Sequence, residues 1–465
     1  MKIIALFEAF QKKDWLWMQK FVESDLYNRH QGVQRLFSFF RKKWPLTPKE
    51  LNSEILHKKI FPEEAFDAAK THHLVNYLLK STEDYLAWDA WQSDAFEPGF
   101  YLLQACRQRR IHRHFLEIQE KLEQKLEAQP LRDAVYCRNK YRLALEQYHH
   151  TLASGRFVAT EQLQSFTNLH DIAFVSEKLK YACGMFSHQR LQKTSIDQGL
   201  LDAVIAYVRQ RPEVLNHPAV GVYFHGYLAL TEPQEDAHFF ALKKHLDVSA
   251  LHFNPAELRD IYLLAVNFCI HRINLRQEQF LREVFDLYRS GLDQGVFFEN
   301  GELLRFTYTN IALTALRLKA FDWAYQFIEQ YRDKLPETQR KGTYAFNLAR
   351  YYCELGDYDQ AMPLLMAMDS DDVLHNLIAK AMLIKMYWET NEWGAMESLL
   401  SSLSVYIRRK RQVTEQQRMA FQHFIRFVRL IQALLPGDKA ARKTLQEEIL
   451  NATVVVEKEW LLRII

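Results

Sequence analysis

The stretch from Asn347 to Met368, NLARYYCELGDYDQAMPLLMAM, decides the fold. Leu348, Ala349 and Tyr352 in its first half, and Tyr358, Ala361 and Leu365 in its second, stand three and four residues apart, which puts each set on one face of a helix. Between the halves, ELGDYD offers Gly356 for the left-handed residue that ends a helix and Asp357 to cap the next. The stretch therefore predicts a helical hairpin. Pro363 removes a hydrogen bond inside the second helix and predicts a kink or a displaced start there.

The pattern recurs on both sides. Ile311, Ala312 and Ala315 align with Leu348, Ala349 and Tyr352, and these with Leu383, Ile384 and Tyr387, at offsets of 37 and 35 residues. In the second halves, Phe321, Ala324 and Ile328 match Tyr358, Ala361 and Leu365, and then Trp393, Met396 and Leu400. Ala312 and Ala349, facing Ala324 and Ala361, let paired helix axes approach closely, while Phe321, Tyr358 and Trp393 supply wedges between hairpins. One hairpin cannot cover both of its faces, so stacking is expected, giving a curved rod with an exposed inner surface.

With Leu348, Ala349, Tyr352, Gly356, Tyr358, Ala361 and Leu365 at consensus-like positions, residues 347–368 resemble a tetratricopeptide repeat (TPR). Residues 308–331 and 380–403 depart from it: Lys319 and Asn391 replace the glycine, and Met396 the small alanine. The resemblance implies an all-α, alpha-solenoid fold of stacked antiparallel hairpins, TPR-like in the C-terminal half, and a non-enzymatic scaffold that binds a protein or peptide. The chain is also similar to uncharacterised all-helical proteins of Bacteroidetes-type bacteria, through FSFFRKKWPLT, ENGELLRFTYTNIAL and RLKAFDWAYQFIEQYRDKLP. That similarity implies a bacterial cytoplasmic protein and names no reaction or ligand.

Composition agrees with long helices. Only twelve prolines and fourteen glycines interrupt 465 residues, of which 48% are hydrophobic and 25% charged. A formal net charge of +3 gives no reason to expect a nucleic-acid partner. Cys106, Cys137, Cys183, Cys269 and Cys353 form no CxxC pair, as expected of reduced thiols in a cytosolic protein. MKIIALFEAF runs straight into QKKDW and reads as a first helix rather than an export signal, so Asn451-Ala452-Thr453 is treated as a chance glycosylation triplet. No run of 18 apolar residues predicts a membrane span.

Four regions are expected: an N-terminal helical domain over 1–95, long helices or degenerate repeats over 96–214, a TPR-like region over 215–410, and capping helices over 411–465. In the first, helices are predicted over 2–24, 31–43, 48–59 and 65–90, the third started by Thr47-Pro48-Lys49-Glu50. Pro98-Gly99 marks the first boundary, and Tyr101 to Ala128 reads as one helix. Asn254-Pro255 starts another, Thr414 and Gln417 form a capping box, and helices over 414–434, 438–451 and 453–463 end the chain.

Chemistry is sparsely signalled. No phosphate loop, nucleophile elbow, zinc-protease helix or calcium loop is present, so no catalytic residue, cofactor or metal is expected. His72-His73 and His149-His150 are adjacent, and His112 and His114 two apart, so none of these pairs shares a helix face. His238 and His245, seven apart, can share one, but neither a third ligand nor a carboxylate at helical spacing makes that pair a convincing site. The candidate partner-binding residues are exposed positions on the first helix of each hairpin: Asn310 and Thr314, then Asn347, Arg350 and Tyr351, then Lys385. Two basic clusters carry the alternative, a nucleic-acid-associated protein: Arg107, Arg109, Arg110 and Arg113, with Arg107 and Arg110, and Arg109 and Arg113, sharing faces, and Arg408, Arg409, Lys410 and Arg411 beyond a helix end. An enzyme without a recognisable motif is the remaining alternative. The oligomeric state is left open.

Overall fold

A computed structural model describes residues 2–192, 194–232, 234–368, 373–410, 412–435 and 437–465. Among them are 23 α-helices, three short 3-10 turns and one two-stranded hairpin, so the chain is all-α. None of the described helices is long and apolar enough to cross a membrane. The chain divides into two compact units, one of Met1–Pro130 with Ala134–Phe174, the other of Leu131–Asp133 with Val175–Ile465.

The first unit contains α1 (Lys2–Glu8), α2 (Lys12–Glu23), α3 (Gln31–Lys43), α4 (Ser53–Ile60), α5 (Ala68–Ser93), α6 (Glu97–Gln108), α7 (His112–Ala128), α8 (Ala134–Ala153) and the start of α9 (Thr160–Gln192). Helices α1 to α4 all pack on α5. Phe7 lies at the centre of their core, its ring 5.0 Å from Trp15 and 5.9 Å from Phe37 and Phe40. The buried Asp14 accepts hydrogen bonds from the Tyr85 hydroxyl at 3.1 Å and the Gln11 backbone at 2.7 Å, so its carboxylate is satisfied.

Local capping chemistry explains where helices depart from expectation. The stretch 2–24 is two helices, because Asp14 turns back to Gln11 and starts α2 afresh. Thr47 and Glu50 do exchange hydrogen bonds, at 2.9 and 3.4 Å, but they close a single turn. Asn52 then caps Glu54 and Ile55, so α4 begins only at Ser53. Pro98 and Gly99 lie inside the first turn of α6, where a Cβ on Gly99 would sit 2.6 Å from Leu122 Cδ2 of α7. The glycine serves close packing there. The single helix expected over 101–128 is broken by Arg110, whose φ is +58°.

The second unit holds the remainder of α9, then α10 (Leu201–Gln210), α11 (Pro218–Thr231), α12 (Asp236–Ser249), α13 (Pro255–Asn274) and α14 (Gln279–Asp293). A hairpin of β1 (Phe298–Glu299) and β2 (Glu302–Leu303) follows, turned by Asn300-Gly301 with both φ positive, as a two-residue hairpin loop requires. Then come α15 (Arg305–Arg317), α16 (Phe321–Gln330), α17 (Glu337–Leu355), α18 (Tyr358–Met366), α19 (Val373–Glu389), α20 (Trp393–Arg409), α21 (Glu415–Gln432), α22 (Lys439–Asn451) and α23 (Lys458–Ile464). The starts at Asn254 and Thr414 are capped as expected, the second with the full box to Gln417.

From α11 to α20, consecutive helices pack in pairs, and α15 packs on α17 as α17 does on α19. The turns inside the last four of these pairs, from α13–α14 to α19–α20, share one geometry. Gly356, Lys319 and Asn391 all have positive φ, at +77°, +58° and +60°. In each case the next backbone N–H reaches five residues back: Asp357 to Tyr352 at 2.9 Å, Ala320 to Ala315 at 3.0 Å, Glu392 to Tyr387 at 2.8 Å. Arg276, φ +64°, closes α13 in the same way, with Gln277 donating to the Arg272 carbonyl at 3.1 Å.

Ala312, Ala315, Ala324, Ala349 and Ala361 are fully buried, as close helix approach demands. The wedges are less buried than expected: Phe321 and Tyr358 are half-buried and Trp393 is 41% exposed. Between α14 and α16, Trp323 fills that role, edge-on to Phe285 at 4.8 Å and stacked on Phe327 at 5.4 Å. Pro363 neither displaces the start of α18 nor ends it, and Asp357 caps that helix by accepting from the Gln360 backbone at 3.2 Å.

Candidate functional site

The last turn of α17 and the second half of α19 present a mixed polar and aromatic surface that the chain's own C-terminal segment covers. Lys385 Nζ donates to Glu457 Oε2 at 2.6 Å. Glu457, the residue before α23, has φ +53°. One turn along, Trp460 Nε1 donates to Glu389 Oε1 at 3.1 Å and Arg463 to the same oxygen at 2.9 Å. The Trp460 ring lies 6.0 Å from Trp388 and 6.1 Å from Phe424, and Leu461 is fully buried. Upstream, His423 Nδ1 is 2.8 Å from the Val454 carbonyl oxygen.

Arg350 and Cys353 belong to the same surface. Both feel the charge of Glu457, and Arg350 stacks its guanidinium over Phe346 at 4.9 Å. Burial lowers the Arg350 pKa, opposed by Glu457 and Glu354, and pushes the Cys353 thiol up to about 11. The thiol is therefore a packing group near neutral pH rather than a nucleophile. Burial of Trp460 and Leu461 contributes about 1.5–3 kcal/mol each, whereas a partly exposed ion pair contributes roughly 1 kcal/mol or less. Apolar contacts hold the segment; the charges set its register.

Of the six candidate residues, the structure brings Arg350 and Lys385 together. Tyr351 points elsewhere, its ring 5.3 Å from Tyr325 of α16, because neighbours in sequence lie about 100° apart around a helix. Asn310 is exposed, and its carbonyl accepts from Thr314 Oγ1 at 2.7 Å. The expectation that Thr314 and Asn347 face solvent is overturned, since both are buried. Thr314 turns its hydroxyl back on its own helix, and Asn347 Nδ2 donates to Thr309 Oγ1 at 3.1 Å and the Thr343 carbonyl at 2.8 Å, joining α15 to α17.

The residues missed from the sequence are Glu389, Glu457, Trp460 and Arg463. Glu457, Trp460 and Arg463 stand three apart and so share a helix face, a weak signal without their partner 71 to 74 residues away.

The basic clusters do not form stripes. The break at Arg110 puts Arg107 and Arg109 on one side and Arg113 on the next helix, so the expected sharing of faces fails. Arg107 pairs with Glu146 at 2.9 Å, Arg113 with Glu117 at 3.1 Å, and Arg109 donates to the Ala105 carbonyl. Arg408 and Arg409 fall in the last turn of α20 and Lys410 caps it, where cations suit the helix dipole; Arg411 lies outside the described residues.

A cavity of about 610 Å³ in the second unit is lined by Lys180, Cys183, His188, Tyr223, Asp260 and Asn267 among others. Its strongest groups are committed to one another. The buried Glu257 accepts from Tyr223 Oη at 2.6 Å and pairs with Lys180 at 3.0 Å, while burial raises the Tyr223 hydroxyl and takes the Cys183 thiol up to about 12. That network ties α9, α11 and α13 together.

No protein-family model, curated protein or solved structure matches the chain.

Proposed function

We propose that the chain is a non-enzymatic scaffold whose residues 215–410 form a TPR-like solenoid, and that the surface carrying Arg350, Lys385 and Glu389 binds a short helical or extended segment of a protein or peptide. The carrying observation is that this surface already holds such a segment, residues 453–465, through an ion pair at Glu457 and a buried Trp460. Four hairpins closed by the same left-handed turn, at Arg276, Lys319, Gly356 and Asn391, support the repeat. Helix-in-groove recognition uses anchors at this spacing, an aromatic residue with flanking charges. Five free thiols, four of them buried, fit a cytoplasmic setting.

The test uses the full chain with Glu457→Lys and Trp460→Ala, which loosens the segment, and a fluorescent peptide of residues 452–465. Anisotropy should report peptide binding to this variant and much weaker binding to the unaltered chain, whose own segment competes. Adding Arg350→Ala should weaken binding with helical content unchanged. A variant that loses thermal stability yet binds no peptide makes α23 a mere cap for the stack, and the reading fails.

A further inference from the structure

The turn between α11 and α12 gathers two carboxylates and an imidazole. Glu232 follows α11, Glu235 precedes α12, and the Glu235 backbone N–H donates to the Glu232 carbonyl at 3.0 Å, folding the two residues toward each other. In the first turn of α12, His238 turns Nε2 to both: it lies 3.6 Å from Glu232 Oε2 and 3.6 Å from Glu235 Oε2. One ligand atom from each of the three residues falls within 4.8 Å of the others.

Those separations exceed a hydrogen bond, which ends near ~3.5 Å. They suit the edges of a metal's coordination sphere. Bonds of about 2.0–2.1 Å at tetrahedral angles set neighbouring ligand atoms about 3.4 Å apart. Two of the three ligands, Glu232 and His238, are also oriented from behind. Arg209 donates to Glu232 Oε1 at 2.7 Å, which directs Oε2 at His238. His225 Nδ1 of α11 lies 3.2 Å from His238 Nδ1, the outer-shell contact that fixes the ring and tautomer of a metal-binding histidine. His245 is not a ligand here; its ring stacks against that of His225 at 5.7 Å, so the pair seven residues apart in sequence does not converge.

We propose that Glu232, Glu235 and His238 bind one divalent first-row transition ion, with Arg209 and His225 as positioning residues. One imidazole with two carboxylates is a nitrogen and oxygen set that suits zinc and its neighbours better than calcium or magnesium. Glu235 is 66% exposed at its side chain, so a fourth position opens to solvent and takes water or a group from another molecule. Two carboxylate charges outweigh the positive end of α12, equivalent to roughly half a charge, but Arg209 offsets one of them.

The experiment is titration of the chelator-stripped full chain with Zn²⁺ by calorimetry, followed by Co²⁺ with visible absorption as the geometric readout. One equivalent of zinc and the intense cobalt bands of a four-coordinate site are expected. Glu232→Gln with Glu235→Gln, both at the surface, should weaken zinc about tenfold or more with an unchanged melting curve, and His225→Phe should weaken it less. His112→Ala with His150→Ala removes the other close imidazole pair, whose ring nitrogens are 3.0 Å apart, and should change nothing. Zinc uptake that survives the double glutamine variant, or no uptake by the unaltered chain, overturns the site.

Discussion

Lys385 Nζ and Glu457 Oε2, 72 residues apart in sequence, meet at 2.6 Å and fix where the C-terminal segment crosses α19. Their side chains are 20% and 29% exposed, so the cost of desolvating both charges offsets much of their attraction and the net coupling is modest. A double-mutant cycle of Lys385→Ala and Glu457→Ala, read by urea unfolding, should give about 0.5–1 kcal/mol of coupling. Glu457→Gly should be about 1 kcal/mol more stable than Glu457→Ala, because glycine relieves the φ of +53° while losing the same ion pair.

Asn347 and Arg350 stand one helical turn apart and should respond differently. Asn347 is fully buried between α15 and α17, so Asn347→Ala removes two hydrogen bonds and opens a cavity, costing about 2–3 kcal/mol in denaturant melts. Arg350→Ala, which uncovers the Phe346 ring, should cost about 1 kcal/mol, less than Asn347→Ala, and lower affinity for the 452–465 peptide in the loosened variant. Equal loss of stability in both variants would make Arg350 part of the core and remove it from the binding surface.

Helix class and most hairpin turns were legible because their causes are local. Gly356 and Asp357, Asn254, and Thr414 with Gln417 each carry their signal within a few residues, and each acts as its chemistry dictates. Legibility failed where two local options compete or a tertiary contact chooses between them. Thr47 was outcompeted by Asn52, Gly99 proved to be a packing glycine set against Leu122, and Arg110 broke a helix that its neighbours favour. The site suffered most, since Arg350 with Glu457 and Glu232 with His238 are selected by rotation about helix axes, which periodicity does not fix to within one residue.

The left-handed positions at the hairpin turns offer a test of that local logic. Lys319 and Asn391 hold φ of +58° and +60° where Gly356 holds +77°, so two of these three turns carry a side chain in a conformation that disfavours one. Lys319→Gly should stabilise the chain by about 0.5–1 kcal/mol, and Asn391→Gly by less, because asparagine tolerates this region better. Gly356→Ala should destabilise by about 1 kcal/mol. Chemical denaturation measures all three, and a destabilising Lys319→Gly would show that its side chain, not its backbone, holds the turn.

Acid sensitivity should begin in the first unit at the start of α6. Asp94 Oδ1 accepts from the backbones of Phe96 and Glu97, each at 2.7 Å, and those bonds hold its carboxyl below the ordinary 3.8. Hydrogen bonding from Arg142, whose guanidinium also stacks over Phe100 at 4.0 Å, holds Glu97 below 4.5. Since both folded-state values are lowered, the unfolded chain takes up protons first as pH falls. The stabilisation is complete above the ordinary carboxylate range and is lost on descending through it toward the folded-state values. Melting temperature should therefore fall below about pH 4.5 in the unaltered chain. Asp94→Asn, which keeps an acceptor for the cap, and Glu97→Gln should each melt lower at neutral pH and meet the unaltered curve in acid. Parallel curves at every pH would mean that the two carboxylates stabilise α6 by shape rather than by charge.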